Sequence, residues 1–313
     1  MRVPVGFLMI LIFQAAAATG QTLQERLGYE PTARLLIIHA DDLGMCHSIN
    51  TGAFRALQEG NVNSASLMMT GPWLPEAVQF ARDHAEGDHG IHLTLNSEWE
   101  NLRWPALSPQ DAVRGLLDPQ GYFWKTMRDT AGRASVEEYE RELRAQIDRA
   151  LKLGLRPTHL DTHLGTIFER KDFLETALEI AKEYRIPLMV PDPTPVTLRR
   201  WGNRDYLTPD FVKRLKASGA PLLAGLYSST EAGDEAAVLK EYKRILRNLP
   251  VGVSQIILHL GEESGELKAM TPSWRIQTSD FAFAMDPEVK SILEEAGVKR
   301  VQWKDIQRAW LNQ

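Results

Sequence analysis

Leu35-Leu36-Ile37-Ile38-His39-Ala40-Asp41-Asp42-Leu43-Gly44 frames the chain. An aliphatic run with the composition of a buried parallel strand stops at two adjacent carboxylates and a glycine. Two acids where a buried strand meets its loop are costly unless a metal ion or a fixed cation compensates them. In β/α proteins the carboxyl ends of strands are also where ligands bind. The stretch therefore reads as an active-site edge. For the pair alone, one acid capping the next helix and the other solvated explains it about as well.

Outward from this strand the chain alternates. Ser48 is placed to cap a helix to about Glu59, with Ile49, Ala53, Ala56 and Leu57 on one face. Val62 to Met69 reads as a second strand, and Pro75 opens a helix to about His84. Gly90 to Leu95 is a third strand, with His92 inside it. Residues 96–134 form a long irregular stretch, and a connection of that length is usually a functional loop or lid. Ser135 with Glu138 fits a capping box for a helix to Leu153. Pro157 to His163 is the next strand and its exit. Then come a helix at Lys171 to Tyr184, a short strand at Pro187 to Val190, and a proline-rich loop to Trp201. Pro209–Ser218, Leu222–Leu226 and Ala236–Leu249 continue the alternation. Val253 to His259 is a buried strand ending in histidine, and Pro287–Ala296, Val298–Val301 and Asp305–Leu311 finish the chain. Strands alternating with helices about seven or eight times indicate an α/β protein with a mainly parallel sheet. The expected fold is an irregular or incomplete (β/α) barrel, TIM-barrel-like, rather than an open doubly wound sheet. There is no nucleotide-binding glycine motif.

The chain has 313 residues, a net charge of −5 and a pI near 6.0, which argues against a nucleic-acid binder. Its single cysteine, Cys46, excludes an internal disulfide framework and a cysteine-based zinc site. As a small residue at the strand–helix junction, Cys46 is a better filler than nucleophile. Arg2, the apolar run Val5 to Phe13 and the small residues Ala15 to Gly20 make the three-part pattern of a secretory signal peptide. That run is too short for a comfortable membrane span. Residues 1–20 are thus expected to be a leader and 21–313 a single domain. The mature protein is expected to be exported, periplasmic or secreted, without stable membrane insertion; an uncleaved anchor is the lesser alternative.

Four strand ends carry polar residues of one kind: Asp41 and Asp42, His92, Asp161 and His163, and His259. A barrel brings such ends to one face. One aspartate with two histidines is a standard set for a divalent ion that keeps open positions, and a second carboxylate can serve as base. Any one of these histidines alone is more often structural than a ligand. His39, His47, His84 and His89 stay at that level. His159 shares a strand face with Asp161 and His163 and is suited to supporting the site from behind.

Three separated motifs, His39-Ala40-Asp41-Asp42-Leu43-Gly44, Gly90-Ile91-His92-Leu93 and Pro157-Thr158-His159-Leu160-Asp161-Thr162-His163, resemble those of the YdjC-like carbohydrate deacetylases. The resemblance runs from about Leu35 to about Ile306. It implies an irregular (β/α) barrel that hydrolyses acetyl groups from acetamido sugars with one divalent metal ion. It implies Asp42, His92 and His163 as ligands, Asp41 as general base, and His259 as general acid or oxyanion partner. Asp161 is the expected partner orienting a histidine. Gly165 stands where relatives often have a further histidine, so the substrate is not carried over. Magnesium or zinc is the expected ion, although oxygen/nitrogen ligation also admits manganese, cobalt or nickel.

Trp99, Arg103, Trp104 and Trp274, with Trp124 and Trp201, are candidate platforms for sugar rings, and anchoring of the loops explains each of them equally well. The expected partner is an acetylated sugar or oligosaccharide; a homodimer is left open. The competing readings are a metal-dependent esterase or phosphoesterase and an exported sugar-binding protein without catalysis.

Overall fold

The computed structural model describes residues 21–194, 204–229 and 235–312; residues 1–20, where a leader is expected, and Trp201 lie outside the described residues. Nine strands are described: β1 Arg34–Leu43, β2 Ser64–Leu67, β3 His89–Leu93, β4 Leu160–Thr162, β5 Val190–Pro191, β6 Leu222–Leu223, β7 Gly225–Ser228, β8 Gly252–Leu258 and β9 Lys299–Arg300. They pair in parallel in the order β4-β3-β2-β1-β8-β7, with β9 also on β1. On the far arc, among the described residues, a single bridge, Leu160 to Leu188, and the two-residue pair β5–β6 continue the sheet. The result is a curled, mainly parallel sheet wrapped by helices, an incomplete barrel as the alternation indicates.

Strand alternation sorts the side chains into two cores. Leu36, Ile38 and Ala40 of β1, with Ala65, Leu67, Ile91, Leu93 and Leu160, face outward into the layer between sheet and helices. Leu35 and Ile37 face inward, where Met189, Leu223, Val253 and Trp303 form a smaller apolar cluster. Trp303 begins the terminal helix Trp303–Leu311, which plugs this end of the barrel. Its indole N–H donates to Gln255 Oε1 at 2.8 Å, and its ring stacks on His159 with centroids 5.1 Å apart. Asp88 accepts from the backbone N–H groups of Trp303 and Lys304, seating the helix start. Above the plug the inward positions turn polar: His39, Ser64, Ser66, His92, His159 and Asp161, all buried.

β1 departs from regularity where it carries its acids. Between Ala40 and Leu43 it advances three residues while β2 advances two, from Ala65 to Leu67. That is a bulge, and Asp42 absorbs it with φ at +67°. Adjacent strand residues ordinarily point to opposite faces. The left-handed turn at Asp42 cancels one alternation, so both carboxylates reach the same end of the barrel.

Three local expectations change. Cys46, not Ser48, caps the helix His47–Glu59, its Sγ accepting from Ile49 N at 3.4 Å. Ser48 instead donates to Glu266 Oε2 at 2.5 Å and is drawn away from the cap. Burial pushes the Cys46 thiol up to about 12, the property of a filler. Residues 96–134 hold two short 3-10 turns and a helix, Met127–Arg133. That stretch is pinned by the buried Glu142, which accepts from Leu107 N and Ser108 N. Between His259 and Pro287, where the sequence reading names no element, lie helices Gly265–Met270 and Trp274–Ala284.

Gly90 illustrates how tight the polar layer is. A Cβ there would lie 2.4 Å from His159 Cε1, and His159 cannot retreat past the Trp303 stack. Gly90→Ala is expected to cost about 1–3 kcal/mol of stability, read by urea unfolding.

Candidate metal centre

The bulged end of β1, the inward residue of β3 and the exit of β4 converge at the barrel mouth. Asp42 Oδ1 lies 3.2 Å from His92 Nε2 and 3.2 Å from His163 Nδ1. The two imidazole nitrogens are themselves 3.3 Å apart. Three donor atoms in a near-equilateral triangle of this size have the spacing of ligands on one ion with bonds of about 2.1 Å. Asp42 Oδ1 is buried and makes no hydrogen bond of good geometry, despite these neighbours. Two ring nitrogens converge on one buried carboxylate oxygen that lacks a well-formed hydrogen bond. A cation shared by all three would answer that oxygen.

What lies behind the rings decides how they present those nitrogens. The outer nitrogen of His92, Nδ1, meets Asp161 Oδ1 at 2.8 Å. The outer nitrogen of His163, Nε2, meets Glu98 Oε2 at 2.9 Å. A carboxylate at the outer nitrogen holds a proton there, so that with an ion bound the inner lone pair would face the centre. Each histidine therefore has its own orienting acid. Asp161 is further held by a hydrogen bond donated from Ser66 Oγ at 2.8 Å.

The electrostatics follow from this packing. Burial opposes charge on Asp42, but His163 and His92 outweigh it and hold the carboxyl well below the usual range. Burial likewise opposes protonation of His163, yet Glu98 and Asp42 push it up to about 9. Asp161, with Asp41 and Asp42, holds His92 well above its ordinary value against the same burial. His159 is the exception: burial and the neighbouring His39 hold it well below, so its ring is neutral. Its Nε2 lies 3.9 Å from Asp161 Oδ2 without a hydrogen bond, and it supports the site by packing.

Beside the triangle stand Asp41 and His259, and both line a cavity of 560 Å³ together with Thr162, Phe168, Met189 and Ile257. Asp41 Oδ2 is 3.9 Å from His92 Nε2. His259 follows β8 directly, and its backbone N–H donates to Asp280 Oδ2 at 2.9 Å, with Nδ1 at 3.6 Å from the same oxygen. Tyr242 donates to the other oxygen of Asp280 at 2.8 Å. Burial works against charge on His259, but Asp280, then Asp42 and Asp41, push it up to about 9. The 32% of its side chain open to the cavity keeps it reachable.

The aromatic residues of the long loop divide differently. Trp104 is buried, with its indole N–H on Asn96 O and its edge against His163 at 5.9 Å between centroids. These contacts anchor the loop. Arg103 is committed to Asp118, Ser97 and the Phe123 carbonyl. Trp99 packs on the edge of Trp104, and Trp274 lies between Lys268 and Arg275. None of these four borders the cavity. Gly165, with φ at +84°, does, and so does Leu164. Glu98, Asp280 and His39 belong to the site and carry no strand-end signal in the sequence. His39 does share its face with Asp41, two residues on.

Glu98→Gln is expected to weaken divalent-ion binding 10- to 100-fold while leaving the fold intact, read by competition titration against a chelating dye.

The sequence profile of the YdjC-like protein family matches residues 35–295. A carbohydrate deacetylase of Thermus thermophilus is 32% identical over 287 residues, covering 92% of this chain and 98% of that protein. A carbohydrate deacetylase of Clostridium beijerinckii is 25% identical over 277 residues, 87% and 99% of the two chains. A solved structure from Enterococcus faecalis, described as a cellobiose-phosphate cleavage protein, superimposes with a TM-score of 0.72 at 24% identity, over 88% of this chain and 99% of that one. The three motifs lie inside the matched span, and this chain belongs to the YdjC-like protein family.

Proposed function

We propose that the protein is a metal-dependent hydrolase that removes the acetyl group from an N-acetylated sugar or oligosaccharide. The observation that carries this reading is the triangle of Asp42, His92 and His163, with Asp41 and His259 beside it lining one cavity. The carbohydrate deacetylases among its relatives support the substrate class.

Asp42 Oδ1, His92 Nε2 and His163 Nδ1 would hold the ion. When bound, a divalent ion there supplies a Lewis acid that polarises the acetyl carbonyl and acidifies water. Asp41 stands at the cavity wall with a carboxylate free to accept the proton of the attacking water. As the C–N bond breaks, His259 gives its proton to the departing sugar nitrogen, leaving acetate and the free amine. Asp280 keeps the His259 ring aimed and charged for that transfer. A cavity of 560 Å³ is in the range of small-molecule sites, large enough for a sugar around its acetamido group. Magnesium and zinc are the ions we favour. Export by the apolar leader would set the enzyme on glycans outside the cytoplasm; among the described residues no helix is long and apolar enough to cross a membrane.

The test is acetate release from acetylated chito-oligosaccharides and other acetylated glycans, using ion-stripped protein with each divalent ion restored in turn. Ion-dependent acetate is expected, and Asp41→Asn is expected to lower it about 10²- to 10⁴-fold with the ion still bound. Acetate from none of them, with the ion bound, would overturn the reading. The pH profile carries a further expectation. His259 acts as an acid only while protonated, so turnover should fall as pH rises through about 9. In His259→Gln that alkaline limb should disappear.

A further inference from the structure

His39 lies beneath the proposed base, and the reaction as described makes no use of it. Its ring is fully buried in the polar layer. Nδ1 shares a hydrogen bond with Ser64 Oγ at 2.9 Å. The opposite edge is crowded with acceptors: Nε2 is 3.0 Å from Asp41 Oδ1, 2.9 Å from Asp161 Oδ2 and 3.1 Å from Ser66 Oγ. Around it, β1 contributes Asp41 and β4 contributes Asp161, while His159, just before β4, lies edge-on with centroids 5.0 Å apart. β2 contributes only the two serine hydroxyls, and β8 places the apolar Ile257 in register with it.

Asp41 Oδ1 is buried and makes no hydrogen bond of good geometry. The contact with His39 Nε2 is what answers its charge. The same nitrogen touches Asp161, which in turn holds His92 from behind at 2.8 Å. One imidazole thus spans the carboxylate that would take the proton and the carboxylate that orients a ligand. A core filler would need neither contact, and an aliphatic side chain of similar size would fill the volume without two buried acids at its edge.

We propose that His39 is a positioning residue: clamped by Ser64 and Ser66, its Nε2 edge holds the Asp41 carboxylate in the orientation from which it acts and couples it to Asp161 behind His92. This rests on the reading of Asp41 as the general base. A carboxylate released from that edge can swing away from the ion site, and a displacement of about 1 Å is enough to cost roughly 10²-fold in rate.

Two substitutions separate positioning from filling. In His39→Asn the amide stands where Nδ1 stood, keeping the Ser64 contact and losing the Asp41 edge. In His39→Gln the longer amide reaches toward the Nε2 position and can keep that edge. With ion stoichiometry and KM near those of the unmodified protein, H39N should lose about 10²-fold in kcat and H39Q should recover most of it. Combined with D41N, H39N should add little further loss, because the two act through one group. Equal kcat in H39N and H39Q, or a loss in H39N that multiplies with that of D41N, would overturn the proposal. A crystal structure of ion-loaded H39N gives a readout independent of activity. The Asp41 carboxylate is expected to have turned from its place, and finding it unmoved would overturn the proposal. If the unmodified protein releases no acetate from any substrate, the deacetylase reading fails and the crystallographic comparison still decides the role of His39.

Discussion

Carboxylates cannot be buried together at one end of a barrel unless their charge is answered there. Asp41, Asp42, Asp161 and Asp280 are all nearly or fully buried, and the site is arranged to meet that demand. Asp161 is answered by His39, His92 and Ser66, and Asp280 by Tyr242 and the backbone N–H of His259. Asp42 is left facing two inner ring nitrogens without a good hydrogen bond. The surplus negative charge is concentrated where a cation would sit, and the neighbouring groups are spent on orientation.

The barrel interior is graded to make this possible. Its lower end is closed by Trp303 and an apolar cluster, which excludes water from beneath. The indole face then supports His159, whose ring leaves no room for a side chain at position 90. Above that come hydroxyls and imidazoles, and only then the carboxylates. Each level is rigid because the one below it is close-packed. The long stretch at residues 96–134 completes the mouth from the side by bringing Glu98 to His163 and Trp104 against the same ring.

Much of this was legible in the sequence for a physical reason. Strand residues repeat every second position, so His159, Asp161 and His163 announce a shared face, and a run of aliphatics that stops at Asp41-Asp42 announces a strand end. What escaped has equally physical reasons. Glu98 is a single acid in a stretch without periodicity, brought home by the packing of Trp104 and the pinning of Leu107 and Ser108. Asp280 lies in a helix whose apolar residues, Ile276, Phe281 and Phe283, do not mark one face. His39 follows a hydrophobic run and looks like its tail, although the two-residue step to Asp41 was the clue. That Asp41 and Asp42 serve the same end depends on a left-handed residue that no composition rule announces. Residues 1–20, read as a leader, fall outside the described residues.

The sheet does not treat its two sides alike. β1 to β4 pair in one continuous block and carry Asp42, His92 and His163 between them, whereas the arc through β5 and β6 is joined by two-residue pairing and a single bridge. Met189, before β5, faces the cavity from that weaker side. That arc of the cavity wall is thus built apart from the strands that carry the triangle. Substitutions on that arc can reshape part of the cavity wall without touching the strands that carry Asp42, His92 and His163.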